Sequence, residues 1–232
     1  MEGAWIALAL TLKVAACATA LNLLLGVGTG YAMARWRFPG RELADAALTL
    51  PMVMPPTVLG YYLLVVIGSQ GVIGAWLLQH FGIRLIFTWQ AAVIAATVVA
   101  YPLVYKGARA AFESVDPQFE DAARTLGISE WAVFFRVSLP LAWRGVLAGL
   151  LLSFARALGE FGATLMVAGS IVGKTQTLSI AVYEAVQAGQ DHTANFLVAV
   201  TSITCIAVLL AAGRLVPGRL LARSRAGEGA NA

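Results

Sequence analysis

Apolar residues fall into long unbroken runs along this chain, separated by short stretches that hold most of the charges. A helix needs about 20 predominantly apolar residues to cross the hydrocarbon core of a bilayer. Five runs are long enough and predict spanning helices, at Ile6–Met33, Ala46–Ile67, Leu85–Tyr105, Val146–Ala168 and Phe196–Leu215. A shorter run, Gly71–Phe81, predicts an interfacial or re-entrant helix. The pattern therefore predicts an all-α integral membrane protein in which residues 1–232 form a single transmembrane domain.

The composition supports this prediction. Of the 232 residues, 59% are hydrophobic and 12% are charged, whereas about a quarter of the residues of a soluble globular domain are charged. These values exclude a disordered chain, a coiled coil and a disulfide scaffold. The net charge of +4 would suit a nucleic-acid partner, but the charges flank the apolar runs, which is typical of membrane proteins. We therefore expect membrane lipid, and no nucleic acid, around this chain.

Lys and Arg are distributed unequally between the two sides of the predicted spans, and such residues concentrate on the cytoplasmic side of membrane proteins. One side holds only Arg84 and Lys174, whereas the other holds twelve basic residues: Arg35, Arg37, Arg41, Lys106, Arg109, Arg124, Arg136, Arg144, Arg214, Arg219, Arg223 and Arg225. This bias predicts an N-terminus outside the cell and a C-terminus in the cytoplasm. The residues before Ile6 lack the basic stretch of a signal peptide, so we expect the first span to be retained.

The longest segment on the basic side is about Lys106–Arg144, and within it the loop at about 116–140 predicts two short helices. The Asp-Pro pair at 116–117 begins the first helix, because Asp caps free amides and Pro fits the first turn. Gly127 supplies the left-handed turn that ends it. The second helix is expected at Glu130–Val137, with Pro140 after it. Such a pair, carrying apolar side chains, suits either docking into a groove of another protein or lying on the membrane surface.

Within this loop, DAARTLG (Asp121–Gly127) is followed by nine residues and then by VSLP (Val137–Pro140). The pattern resembles the EAA loop of ABC importer permeases, in which Glu-Ala-Ala, three residues, Gly and nine further residues precede Ile-x-Leu-Pro. Asp121 replaces Glu and Val137 replaces Ile, and both changes are conservative. The resemblance implies coupling helices that insert into a cleft of an ATPase subunit, and it assigns to this coupling Glu120, Asp121, Ala122, Ala123, Gly127, Val137, Leu139 and Pro140.

The resemblance extends along nearly the whole chain. Two blocks, LPMVMPPTVLGYYLL (Leu50–Leu64) and RALGEFGATLMVAGSIVGKTQTLSIAVY (Arg156–Tyr183), are similar to the molybdate branch of these permeases. Sulfate and thiosulfate permeases share the first block more loosely and differ more in the second, and they remain the alternative.

This family resemblance implies a type I importer permease with a core of five helices in a bacterial inner membrane. Two copies are expected side by side, with two ATPase subunits on the inside and a periplasmic molybdate-binding protein on the outside. Tungstate is expected to be handled together with molybdate. The resemblance implies no catalytic residue, metal or cofactor in this chain, because ATP binds to the ATPase subunits.

Three prolines, Pro51, Pro55 and Pro56, interrupt the second predicted span. Proline removes an amide donor and kinks a helix, and irregular backbone at membrane depth is tolerated where it lines a cavity or packs on protein. These prolines and the neighbouring Thr57 are therefore candidates for a gate. The alternative is a kink that only shapes the packing of the helices.

Arg156 and Glu160 are four residues apart, so in a continuous helix they share a face and can pair. Counted from Arg144, Arg156 lies about 18 Å into its span, at a depth where charges are costly and often functional. One hypothesis places the pair beside the pore, where it guides a dianion past Ser153 and Thr164. The other is a neutral pair that locks the helices together.

Two further patterns concern packing and a misleading motif. The glycine pairs Gly26/Gly30 and Gly145/Gly149 predict close approach between helices. The segment AGSIVGKT at 168–175 fits a permissive phosphate-loop pattern, but it follows a membrane span rather than a strand. We therefore expect an external loop there rather than a nucleotide site.

Two other classes of membrane protein fit the sequence less well. An intramembrane protease or zinc enzyme needs histidine within the bilayer, but His80 and His192 lie in predicted external loops and no HExxH motif occurs. A secondary transporter is typically built from inverted repeats, and none is visible. It would also leave the helical pair in the 116–140 loop without a role.

Overall fold

Residues 2–215 are described by this computed structural model, and they form a helical bundle. The helices are α1 (Glu2–Arg35), α2 (Arg41–Val53), α3 (Pro56–Ile67), α4 (Val72–Phe81), α5 (Trp89–Glu113), α6 (Pro117–Thr125), α7 (Glu130–Val133), α8 (Leu139–Leu158), α9 (Gly162–Ala168), α10 (Leu178–Gln187) and α11 (Asp191–Leu215), with a π-helical turn at Phe134–Ser138. The predictions for the basic residues Arg219, Arg223 and Arg225 lie outside the described residues.

Over the described residues, the helical stretches that are long and apolar enough to cross a membrane number five, as predicted. They are Gly3–Arg35, Pro56–Phe81, Trp89–Glu113, Glu130–Leu158 and Asp191–Ala211. The short helix predicted at 71–81 is α4, and it forms the second stretch together with α3. The bounds of the second and fourth stretches differ from the prediction, because each predicted run is interrupted.

Helix α5 lies at the centre of the bundle, in contact with both α1 and α8. Small residues bring these three helices close together. A Cβ atom on Gly30 of α1 would lie 2.9 Å from the Cβ of Ala108, and one on Gly107 of α5 would lie 3.0 Å from the Cα of Gly149. The close approach predicted from the two glycine pairs is confirmed, and a larger side chain at either position would force the helices apart.

The interruption that the prolines predict in the Ala46–Ile67 span is confirmed at Pro55 and Pro56, and the run forms two helices instead of one. Helices α2 and α3 are separated at Met54, whose backbone is extended, and at Pro55. Proline lacks an amide hydrogen and disfavours helical backbone in the residue before it, whereas Pro56 fits the first turn of the new helix. Pro51 lies inside α2 and does not interrupt it.

The predicted span Val146–Ala168 is wrong as a single helix, because α8 and α9 are separate. Gly159 follows the end of α8, and the carboxylate of Glu160 accepts a hydrogen bond of 2.9 Å from the amide of Ala163. This bond satisfies an amide that the first turn of α9 leaves free. Arg156 and Glu160 therefore do not lie on one continuous helix, although they form the predicted ion pair.

The first helix of the 116–140 loop is confirmed as α6. Its N-cap Asp116 accepts a hydrogen bond of 2.9 Å from the amide of Gln118. Gly127 follows the helix with a φ of +75°, a left-handed conformation that glycine adopts without steric cost.

The end predicted for the second helix of this loop is wrong. Helix α7 continues through the π-helical turn directly into α8, and Pro140 lies in the first turn of α8 instead of following a helix end. In the π-helical turn the amide of Leu139 donates to the carbonyl of Phe134. The wider turn changes the hydrogen-bond ladder just before the proline, which lacks an amide to contribute.

The opposite end of the bundle contains a helix that the sequence pattern did not predict. Helix α10 packs against both α1 and α11, and the amide of Leu178 donates a hydrogen bond of 2.9 Å to the hydroxyl of Thr11. The 168–175 segment leads to α10 and follows helix α9 rather than a strand, which agrees with its interpretation as a loop and not a phosphate-binding site.

Candidate functional site

A cavity of about 290 Å³ opens beside the break between α2 and α3. Residues of α2, α3, α5 and α8 and of the break itself line it: Pro51, Met52, Met54, Pro56, Val99, Leu103 and Arg156. Arg156 carries the single charge of this lining, since the other residues are apolar. The structure therefore brings three of the predicted pathway residues, two prolines and the arginine, to one cavity.

The two helix breaks lie side by side. Helix α3 packs along α9, and a Cβ atom on Gly162 would lie 3.2 Å from the Cβ of Pro56 and 3.3 Å from the amide nitrogen of Thr57. Only glycine allows this approach without displacement. The positive end of the α3 dipole therefore lies at the cavity, next to backbone that two interrupted helices leave irregular.

The ion pair between Arg156 and Glu160 leaves the arginine donors largely unused. Nη1 of Arg156 lies 2.9 Å from Oε2 of Glu160, but Oε2 accepts no hydrogen bond in this geometry. The other oxygen, Oε1, accepts from the amide of Ala163. Glu160 thus neutralises Arg156 through Nη1 and caps α9, and the guanidinium has further N–H groups that can reach a group in the cavity.

The remaining pathway candidates do not line this cavity. Ser153 has no exposed surface and accepts a hydrogen bond of 3.2 Å from the side-chain amide of Asn22, which joins α8 to α1. Thr164 is also buried, on α9. Pro55 and Thr57 are exposed at the break between α2 and α3.

Helix α6 has an inner and an outer face. Glu120 and Ala123 are buried, and the Glu120 carboxylate lies 2.7 Å from Nη2 of Arg35 at the end of α1. Asp121, the first residue of the DAA motif, is exposed and pairs with Arg124 on the same helix. Of the other predicted coupling residues, Ala122, Gly127 and Pro140 are exposed, whereas Val137 and Leu139 are half-buried.

Large apolar side chains are exposed on the outer side of this loop. Phe119 and Leu126 lie on and just after α6, and Trp131 and Phe135 lie on and just after α7, all of them more than half exposed. The rings of Trp131 and Phe135 stack with their centroids 6.4 Å apart. Exposed apolar groups of this kind suit contact with another protein or with the membrane surface, and we call these four residues the apolar knob.

Arg124 holds the two halves of the loop in a fixed arrangement. It forms ion pairs of 2.8 Å with Glu130 at the start of α7 and 2.7 Å with Asp121. The hydrogen bond with Glu130 is the main reason that the pKa of Arg124 is raised above its ordinary value. The charge that bridges α6 and α7 is therefore permanent.

A second charged cluster joins α2 to α5, and the sequence analysis missed it. Asp45 accepts hydrogen bonds from Tyr105 (2.5 Å), from Lys106 (2.9 Å) and from Arg109 (2.6 Å). Burial alone would raise the pKa of Asp45, but these donors and positive charges outweigh it and lower that pKa to about 2. The only signal in the sequence was an aspartate at the edge of an apolar run.

Comparison with known proteins identifies the family of the chain. A family model described as "Binding-protein-dependent transport system inner membrane component" matches residues 23–221. The chain belongs to this family. It is therefore a multi-pass membrane protein and a transport component. The relatives of this permease align with nearly the whole length of the chain.

Two relatives of the permease are named "Molybdenum transport system permease protein ModB". The protein of Escherichia coli strain K12 is 42% identical, over 89% of this chain and 91% of that protein. The protein of Haemophilus influenzae is 43% identical, over 88% of this chain and 90% of that protein. A "Sulfate transport system permease protein CysW" of Synechocystis is 38% identical, over 88% of this chain and 74% of that protein.

Solved structures of ABC transporters share the fold of the permease. An inward-facing structure of the MetNI methionine ABC transporter matches with a TM-score of 0.67 and 18% identity, covering 93% of both chains. A bacterial ABC transporter involved in alginate import matches with a TM-score of 0.71 and 16% identity, covering 93% of this chain and 79% of that chain. The fold is that of a type I ABC importer permease, as the sequence predicted.

Proposed function

We propose that this permease is the membrane-spanning subunit of an ATP-driven molybdate importer that also accepts tungstate. The observation that carries this proposal is the identity of 42% and 43% to molybdenum transport permeases over nearly the full length of the chains. The subunit supplies the pathway for the anion. It also supplies the contact with the ATPase subunit through which ATP hydrolysis drives transport of the anion. It contains no cofactor of its own, and ATP is bound and hydrolysed by a separate subunit.

The cavity at the helix breaks supports a pathway for an anion. Arg156 brings a positive charge and N–H donors beyond the one that faces Glu160 to it, and these are the groups that recognise tetrahedral oxyanions. Glu160 offsets that charge, so a dianion is attracted without being held tightly, as transport requires. In this proposal the interrupted backbone at Pro55 and Pro56 is the part that moves when the pathway opens.

The apolar knob supports docking of an ATPase subunit. In this proposal the knob and the exposed face of α6 insert into a cleft of that subunit, with the 116–140 loop in the cytoplasm and the N-terminus outside. Basic residues concentrated at this end of the bundle agree with the cytoplasmic assignment. The working assembly then contains two copies of this chain, two ATPase subunits and a periplasmic molybdate-binding protein, surrounded by lipid.

A sulfate or thiosulfate importer is the second candidate, because sulfate permeases are also similar to this chain, at 38% identity for the Synechocystis protein. Sulfate and molybdate are both tetrahedral dianions, so the cavity by itself suits either. The higher identity and fuller coverage of the two molybdenum relatives from Escherichia coli and Haemophilus influenzae favour molybdate.

The test is uptake of labelled molybdate at nanomolar concentration in cells with and without this gene, measured both without and with a large excess of unlabelled sulfate. Uptake of labelled sulfate is measured in the same cells. We expect uptake that depends on the gene and persists in sulfate. Uptake that sulfate abolishes would move the protein to the sulfate candidate. Absence of any gene-dependent uptake of either anion would contradict the proposed substrate class.

A further inference from the structure

Glu120 is a carboxylate buried inside a loop that is otherwise largely exposed. Only 1% of its surface is exposed. Its Oε1 atom accepts hydrogen bonds from Nε and Nη2 of Arg35, at 3.0 Å and 2.7 Å, and from the hydroxyl of Ser138, at 2.7 Å. The same Nη2 of Arg35 donates to the carbonyl of Val115, just before α6.

These bonds join three separate elements at one oxygen atom. Arg35 is the last residue of α1, Glu120 lies in α6, and Ser138 ends the π-helical turn that leads into α8. Charge-assisted hydrogen bonds are short and strong, and a buried ion pair resists disruption because loss of one partner leaves the other charge poorly compensated away from water. The other oxygen of Glu120, Oε2, has only a longer contact of 3.6 Å with Nη2 of Arg124 in the same helix. The bonds at Oε1 therefore fix helix α6 to the ends of two long apolar helices.

The exposed aspartate next to Glu120 makes no such connection. Asp121 is 66% exposed at its side chain, and its ion pair with Arg124 stays within the loop. Ala123, on the same face as Glu120, adds one small buried side chain. Of the two adjacent acidic residues, Glu120 is therefore the one whose contacts reach the spanning helices.

We propose that Glu120 is a positioning residue which, through Arg35 and Ser138, makes α6 move as one body with the ends of α1 and α8. A displacement of α6 by a bound ATPase subunit is then passed to both helices instead of being absorbed by the loop. This inference rests on the proposed function for the identity of the partner. The positioning role differs from direct contact with the ATPase subunit, because the side chain of Glu120 is buried and faces away from the exposed surface of α6.

The test uses the transporter assembled with its own ATPase subunits in lipid nanodiscs and vesicles. The variants are Glu120→Gln and Arg35→Gln, which remove one charge each, and the double variant, which removes both. Glu113→Gln is the matched control, because Glu113 is also ion-paired at this end of the bundle but is exposed and bonded to Arg41 and Arg109. Two quantities are measured: hydrogen exchange of the α6 amides, and anion transported per ATP hydrolysed.

We expect each single variant to raise exchange of the α6 amides at least about tenfold while α5 stays protected, and to lower transport per ATP while the ATPase subunits remain bound. The double variant leaves neither charge without its partner, so its α6 amides should exchange hydrogen more slowly than those of either single variant. Glu113→Gln should leave α6 exchange and transport per ATP unchanged.

Unchanged α6 exchange in both single variants would overturn the inference, and so would loosened α6 with normal transport per ATP. Exchange does not depend on the substrate, so it decides whether Glu120 holds α6 even if molybdate is not the transported anion. Uptake by the wild-type transporter in the same vesicles decides the substrate separately.

Discussion

At the scale of single residues, three of the charged clusters in the described part of the permease have different roles. Arg156 and Glu160 place a neutralised but still accessible guanidinium at the cavity. Asp45 ties α2 to α5, and Glu120 ties α6 to α1. The sequence indicated Arg156 and Glu160 because charges inside an apolar run are conspicuous. It could not indicate the partners of Asp45 or Glu120, because both contacts join residues more than 50 positions apart in the chain.

Replacement of Arg156 separates the two roles considered for its ion pair. Arg156→Ala is expected to lower molybdate uptake at least about tenfold and also to destabilise the protein, because Glu160 is left buried without its counter-charge. The double variant Arg156→Ala/Glu160→Gln removes that stranded charge. It should recover thermal stability but not uptake. Wild-type uptake by the double variant would show that the pair only locks the helices together.

The low pKa of Asp45 makes the α2–α5 contact sensitive to acid. A carboxylate whose folded pKa is about 2 instead of 3.8 contributes about 2 kcal/mol of stability above pH 4. That contribution is lost as the pH falls from 4 toward 2. Asp45→Asn should therefore lower the thermal unfolding midpoint at pH 7 and make little difference near pH 2.

The control is Asp121→Asn, the same chemical change at an exposed ion pair, for which we expect no measurable shift at either pH. Unfolding of the detergent-solubilised protein, followed by circular dichroism at both pH values, provides the comparison. Equal midpoints for wild type and Asp45→Asn at pH 7 would mean that the cluster does not hold α2.

At the scale of helices, the sequence predicted those features that depend on residues close together in the chain. The apolar runs predicted five spans, and the Asp-Pro pair and Gly127 predicted both ends of α6, because capping depends on neighbouring residues. The break before α9 was missed because Glu160 acts there as a cap, whereas its spacing from Arg156 suggested a continuous helix. The merger of α7 into α8 was missed because a π-helical turn leaves no clear sequence pattern.

Substitutions at Gly127 test whether coupling to the ATPase subunit requires the geometry of the 116–140 loop. Gly127→Pro is incompatible with a φ of +75° and removes the hydrogen bond from the Gly127 amide to the carbonyl of Arg124, because proline fixes φ near −65° and has no amide hydrogen. We expect normal membrane insertion, since the spanning helices lie elsewhere, with uptake reduced at least about tenfold.

Gly127→Ala keeps the amide and adds strain of only about 1–2 kcal/mol, so its uptake should lie between those of wild type and Gly127→Pro. Abundance in isolated membranes and molybdate uptake are measured for all three. Full uptake by Gly127→Pro at normal abundance would show that the loop geometry is not used for coupling.

At the scale of the whole molecule, the proposed pathway and the proposed docking surface lie on the same long helices. Helix α8 begins next to Ser138, which bonds to Glu120, and carries Arg156 near its other end. Helix α5 contacts both α1 and α8 along its small residues, so these helices cannot shift independently without separating tightly packed surfaces. This continuity explains how events at the apolar knob can reach the cavity.

In the proposed function, this chain forms an anion pathway whose opening is driven by ATP at a partner subunit. The most direct measurement is molybdate accumulation in vesicles that contain the permease with its ATPase subunits, with the binding protein added on the side of the permease N-terminus. Accumulation should require the permease, ATP and the binding protein together. Accumulation without ATP, driven by an ion gradient alone, would contradict ATP-driven import and identify a secondary transporter.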